Sequence, residues 1–165
     1  LKREFPDVPI VTTAYDHSLG LGSALKDVDW FVAQLHFWNP DKVLLSRKAG
    51  HQVWWYTCNV PAGEYPNMFL ESQAIETRLL MGALTQKYRP DGFLFYQIAK
   101  WSTPRCVTGG PFTDIEARTW GMYNGEACWT CVGEGGRPLP TMRLENYRDG
   151  LEDLAYAKLL ERELA

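Results

Sequence analysis

The sequence predicts an α/β fold, namely half of a (β/α)8 TIM-type barrel with four parallel strands, connecting helices and one long glycine-rich loop. Three observations carry the prediction. Four short apolar runs recur at 8–15, 28–35, 52–58 and 92–99, each rich in β-branched or aromatic residues. They are nearly continuous rather than alternating, the pattern of strands buried on both faces. The segment between the third and fourth runs has helical periodicity, and the residues that follow each run are polar and aromatic, as at the active end of a barrel.

The elements follow in order. The first run is VPIVTTAY, and Ser18 to Lys26 after it reads as a short turn of helix. The second, VDWFVAQL, leads to a short helix over Asp41 to Ala49 that Gly50 stops. The third, QVWWYTC, is followed by Ser72 to Tyr88, where Ile75, Leu79, Leu80, Ala83, Leu84 and Tyr88 recur at helical spacing. Ser72 is the expected N-cap, and Arg89-Pro90-Asp91-Gly92 ends that helix before the fourth run, GFLFYQIA. Strand, helix, strand implies a right-handed parallel crossover. Glycines and Pro138 break up residues 102–140, which read as an ordered loop insertion with one hairpin. From Met142 to Leu164 the chain is helical again, and Gly150 inside this helix costs about 1 kcal/mol relative to Ala unless a neighbour packs close.

No G-x-G-x-x-G or phosphate-binding loop follows the first strand, which turns the reading from an open nucleotide-binding sheet toward a barrel. The expected strand ends are Tyr15-Asp16-His17, Phe37-Trp38-Asn39, Tyr56-Thr57-Cys58-Asn59 and Lys100-Trp101-Ser102. Four strands are about half of an eight-stranded barrel. An open half exposes two sheet edges and one inner face. The expectation is one partial domain over 1–165 that needs its missing half, or a second copy, and does not fold cooperatively alone.

Composition narrows the function. The net charge is −3, so no basic face for nucleic acid is expected. No apolar run is long enough to span a bilayer. Seven Trp and eight Tyr are many for 165 residues. Such rings fill cores, and they also form the platforms on which sugars stack. The chain begins Leu1-Lys2-Arg3-Glu4 and runs almost at once into a strand, which reads as a segment of a longer protein and leaves the compartment unassigned. Cys128 and Cys131 form a C-x-x-C pair, the basis of a redox or zinc module in an alternative reading. It follows a glycine-rich stretch, no helix opens after it, and no second closely spaced ligand pair exists, so no metal or cofactor is expected. His17, His36 and His51 show no metal-ligand spacing and read as ordinary polar residues.

An ordered set of segments resembles the glycoside hydrolase family 123 catalytic domain. They are Trp54 to Pro66, the helix carrying IETRLL from Ile75, Asp91 to Tyr96, Trp101, and the ending Met142-Arg143-Leu144-Glu145 with Arg148-Asp149-Gly150-Leu151-Glu152-Asp153. The resemblance covers roughly 8–160 and places the chain in the C-terminal half of the barrel. It implies an exo-acting, retaining β-N-acetylgalactosaminidase working by substrate-assisted hydrolysis on an N-acetylhexosaminide. In such enzymes the 2-acetamido oxygen attacks the anomeric carbon while an adjacent Asp-Glu pair orients it and protonates the leaving group. No Asp-Glu dipeptide occurs in these 165 residues, so the resemblance puts the catalytic pair upstream and none of the catalytic residues here. Glu152-Asp153 reads as a structural ion-pair group with Arg143 or Arg148. Asn124-Gly125-Glu126 and Tyr96 depart from the family pattern and leave the sugar open. The resemblance also admits an extracytoplasmic location. The alternative is a non-catalytic carbohydrate-binding or structural barrel.

Six residues are candidates for substrate binding. Tyr56, near the end of the third strand, can hydrogen-bond an acetamido carbonyl or can be a core phenol. Trp54 shares its strand face, whereas Trp55 points the other way. Trp101 and Tyr96, at or past the end of the fourth strand, offer aromatic surface to a sugar ring. Asn59 and Asp16 are strand-end polar groups that bind hydroxyls or form turns.

Overall fold

The structure, a computed structural model, describes residues 2–13, 16–58, 60–61, 63–68, 72–96, 98, 118–120, 123–124, 129–132, 135 and 137–165. The chain divides into two compact units, Leu1–Thr57 with Pro90–Leu94, and Cys58–Arg89 with Phe95–Ala165.

The first unit is built on a sheet in the order β1 (Val11–Thr12), β2 (Trp30–Gln34), β3 (Gln52–Thr57), β4 (Phe93–Phe95). β1, β2 and β3 pair in parallel. β4 runs the same way, with the Asp91 N–H donating to Val53 O and the Trp55 N–H to Gly92 O. The predicted strands are therefore present in the predicted order, although the first and fourth are shorter than their apolar runs. β1 starts late because the Ile10 N–H donates to the Asp29 carboxylate at 2.6 Å, while Ile10 O accepts from Asp29 and Trp30.

Register sorts the side chains. Trp30, Val32 and Gln34 lie opposite Gln52, Trp54 and Tyr56 on one face, and Phe31 and Ala33 lie opposite Val53 and Trp55 on the other. The second face carries the core. Phe31 and Val53 are buried with Leu19 and with Val43 of α1 (Pro40–Lys48), and Trp38 packs edge-on against Trp55 at 5.3 Å. Removing the Phe31 ring would cost about 3–5 kcal/mol, as ring deletions in cores do. α1 forms where the sequence predicts it. The Asn39 side chain accepts the Lys42 N–H at 3.0 Å, Pro40 opens the helix, and the basic Arg47 and Lys48 sit in its last turn. Asp91 binds the Val53 N–H (2.7 Å) and the Arg47 guanidinium (2.9 Å), fixing the entry to β4.

Residues 18–26 are turns, not the expected helical turn. Leu19 at φ 52° and Gly20 at φ 84° are left-handed, a conformation that an α-helix does not contain. At Gly20 a Cβ would also stand 2.8 Å from the Phe31 ring.

In the second unit, α2 (Ala74–Leu79), a π-helical stretch (Leu80–Leu84) and α3 (Thr85–Tyr88) form one continuous helix that ends at left-handed Arg89. Its N-cap is Gln73 and not Ser72, because Glu76 reaches back to the Gln73 N–H at 3.1 Å while the Ser72 hydroxyl donates to Asn67 O. The π-helical turn is closed by the Thr85 hydroxyl, which donates to Leu80 O at 2.8 Å. Asn67 organises the preceding loop by donating to Cys58 O (3.0 Å) and Pro61 O (2.7 Å), and its own N–H is taken by Glu76.

This helix packs against α4 (Met142–Leu164), the predicted C-terminal helix. Gly150 sits at the crossing, where a Cβ would stand 2.8 Å from Arg78 O and 2.9 Å from the Met81 Cβ, and Gly82 meets Gly150 O and Asp153. Asp153 binds Arg78 through both oxygens, at 2.6 and 2.8 Å, and not Arg143 or Arg148 as expected. Sequence neighbours suggested the wrong partner because the pair joins two helices 75 residues apart. Glu152 does face Arg148, at 3.7 Å, and Arg143 donates to Ser72 O. Two antiparallel strand pairs occur where one hairpin was expected, β5 (Arg118–Trp120) with β6 (Tyr123–Asn124) and β7 (Thr130–Val132) with β8 (Pro138–Pro140). The remainder of 102–140 lies mostly outside the described residues. Trp129 is buried between Phe95 and Tyr147, each 4.8 Å away.

Helix propensity alone says that Gly150→Ala should stabilise. The crossing says the reverse: a backbone carbonyl meets the new methyl, so the substitution is expected to destabilise by about 1–3 kcal/mol, read as a lower urea midpoint.

Candidate functional site

A small cavity of about 20 Å3, open to solvent, lies in the first unit at the C-terminal ends of β1, β2 and β3. It is lined by Thr13, Asp16, His17, Leu19, Val32, Ala33, Gln34, Phe37 and Tyr56. Its polar side chains arise from alternation. Gln34 and Tyr56 are opposite one another on the face that points away from α1, at the last paired position of β2 and β3. Both are well enclosed, Gln34 at 3% and Tyr56 at 9% exposure. A phenol and a carboxamide thus stand side by side in the cavity lining.

The rim is aromatic and imidazole. Phe37 ends the short 3-10 turn (Leu35–Phe37) that follows β2. The His17 ring meets it edge-on at 4.1 Å, and His36 lies against it at 3.8 Å. Burial, then the charge of His17, pushes the His36 pKa below 6.5, which favours the neutral ring in this stack.

Asp16 is placed in the cavity wall with its carboxylate turned into its own turn. It accepts from the Ser18 N–H and hydroxyl, the Gly20 N–H and the Ser23 hydroxyl. Burial raises its pKa, but these four donors outweigh that and hold it below 3.8. Trp54 shares the inner face with Tyr56 but stands two residues earlier. Its indole stacks on Trp30 at 5.1 Å, lies over Gly92 and donates to the Gln52 side chain, so it fills the sheet's inner face below the cavity and does not line it. Tyr96 follows β4 in the second unit and is half exposed. Asn59 and Trp101 lie outside the described residues, as does Cys128. Among the described residues, no group of three or more His, Cys, Asp or Glu side chains is placed to hold a metal ion.

Of the six predicted residues, the structure therefore brings Asp16 and Tyr56 to one cavity. It adds Gln34, His17 and Phe37, which the sequence reading did not select. The usable signal for Gln34 was a polar residue closing a buried strand. His17 and Phe37 were already in the predicted strand-end segments.

Because the folded pKa of Asp16 lies below 3.8, its carboxylate contributes stability that is complete above that pH and is lost as pH falls through the folded value. The urea midpoints of the protein and of Asp16→Asn are expected to differ at pH 7 and to converge as the pH is lowered below 3.8.

Comparison with known proteins places this geometry. The model of the family described as glycoside hydrolase 123, catalytic domain, matches residues 3–160. No match is found among curated proteins. A match over nearly the whole chain assigns the protein: the chain belongs to the glycoside hydrolase 123 catalytic-domain family.

Proposed function

We propose that the protein bearing this chain is a retaining exo-β-N-acetylgalactosaminidase that uses the substrate's own acetamido group as nucleophile. The observation that carries the reading is the Tyr56–Gln34 cavity at the strand ends of a family 123 domain. In the proposed reaction the sugar sits with its 2-acetamido group toward Tyr56. The acetamido oxygen attacks the anomeric carbon as the glycosidic bond breaks, and the leaving oxygen takes a proton from a glutamic acid. An aspartate beside that acid orients and polarises the acetamido N–H. Tyr56 donates to, or orients, the acetamido oxygen, which holds it in line for attack.

No Asp-Glu dipeptide occurs in these 165 residues, so the reading assigns the pair to a part of the protein outside this chain, in the other barrel half. Four parallel strands leave room for four more in an eight-stranded barrel. Asn59, Tyr96 and Trp101 are proposed as further sugar-binding residues of the whole protein, whereas Trp54 packs on Trp30. The absence of the dipeptide favours one second reading, a barrel that binds N-acetylhexosaminides without hydrolysing them.

The test is an assay of the whole protein on aryl N-acetyl-β-galactosaminide and its gluco epimer. Hydrolysis of the galacto substrate, with Tyr56→Phe lowering kcat/KM by about 10- to 100-fold, is the expected result. Binding of the free sugar without turnover selects the second reading. Turnover with an unchanged Tyr56→Phe rate removes Tyr56 from the mechanism.

A further inference from the structure

Asp16 stands just past β1, where a barrel enzyme often places a substrate ligand, yet its acceptor capacity is used within its own turn. Oδ1 accepts the Ser18 N–H at 3.0 Å and the Ser18 hydroxyl at 2.5 Å. Oδ2 accepts the Gly20 N–H at 2.9 Å and the Ser23 hydroxyl at 3.0 Å. An ionised carboxylate has about four lone-pair sites, and four donors occupy them. A sugar hydroxyl would have to displace one of these donors to bind.

The turn so formed is braced against α1. Lys42 Nζ donates to His17 O at 3.0 Å, and the buried Ser46 hydroxyl donates to Leu19 O at 2.8 Å. The Ser23 hydroxyl, besides donating to Asp16, accepts the Leu25 N–H at 3.1 Å. Between these ties the turn projects one side chain of chemical interest, His17. Its ring stands edge-on to Phe37 at 82°, and both rings line the cavity that holds Tyr56 and Gln34. Edge-to-face contact fixes the orientation of both rings, and an imidazole beside a phenyl edge gives a sugar one hydrogen-bonding group and one apolar surface.

We infer that Asp16 is the positioning residue of this cavity: it does not ligate the sugar but shapes the turn that holds His17 against Phe37, and His17 with Phe37 forms the wall that the sugar meets. The inference rests on the reading of the cavity as the sugar site. His17 is accordingly a specificity-determining contact, and Asp16 acts through it.

The experiment is a double-mutant cycle on the whole protein, with kcat and KM measured on the aryl N-acetyl-β-galactosaminide for Asp16→Asn, His17→Ala and both together. Each single change is expected to raise KM by about tenfold with kcat altered less than about threefold, and Asp16→Asn should add nothing once His17 is gone. Ser23→Ala, which removes one donor and spares the carboxylate, should shift KM the same way by less, and it serves if Asp16→Asn does not fold. A second readout needs no turnover. In protein carrying 13C-labelled histidine, the His17 resonance should be displaced by the Phe37 ring and should return toward the free value in Asp16→Asn and in Phe37→Leu. Additive losses in the cycle, or a fall in kcat with the His17 resonance unmoved, would mean that Asp16 contacts the substrate itself and would overturn the inference. If no N-acetylhexosaminide is hydrolysed or bound, the sugar reading fails. The resonance still decides the positioning: displaced by Asp16→Asn it stands, unmoved it falls.

Discussion

The parallel pairing of β2 with β3, with Gln34 opposite Tyr56 and Phe31 opposite Val53, sets which side chains pack and which face the cavity. A strand has a side-chain period of two, so a slip of one residue would turn every side chain of one strand to the other face. Phe31 and Val53 would lose their place beside Val43 of α1, Trp55 its place on Trp38, and Gln34 and Tyr56 would leave the cavity. The core therefore specifies the site. Burying Phe31 and Val53 with Leu19 and with Val43 of α1 holds the register, and that register puts an amide and a phenol at the strand ends.

Around that pairing, the polar residues close local geometry and add little area to the core. Asp29 stops the ladder at Ile10, Asp91 ties β4 to β3 and α1, and Asp16 winds the turn after β1. Each carboxylate accepts backbone N–H groups that the sheet leaves without a ladder partner. In the second unit the equivalent work falls to Asn67 and Glu76, which together fix the loop leading into α2, and to the glycines that let α4 approach the π-helical turn. Packing there is set by what is missing from Gly82 and Gly150, a constraint that sequence propensity scores with the opposite sign.

The parallel sheet was legible because buried strands leave unbroken apolar runs, and α1 because Gly50 marks the stop of the short helix expected over Asp41 to Ala49. The family was legible from ordered segments scattered over the chain. What the sequence did not disclose depends on contacts made at a distance. Arg78 as the partner of Asp153 requires two helices to cross, and the turn at 16–23 requires one carboxylate to collect four donors. Propensity saw only Ser18 to Lys26 as a helical stretch. The site was half legible: Tyr56 follows from alternation along one strand, whereas Gln34, His17 and Phe37 become neighbours of Tyr56 only when three strand ends are brought side by side.

The most direct test of this account is a crystal structure of the whole protein with N-acetylgalactosamine bound. The account predicts the sugar in the cavity formed by Tyr56, Gln34, His17 and Phe37, with its acetamido group toward the Tyr56 hydroxyl and the Asp16 turn unchanged. A sugar seated away from the β1–β3 strand ends, with that cavity empty, would contradict it.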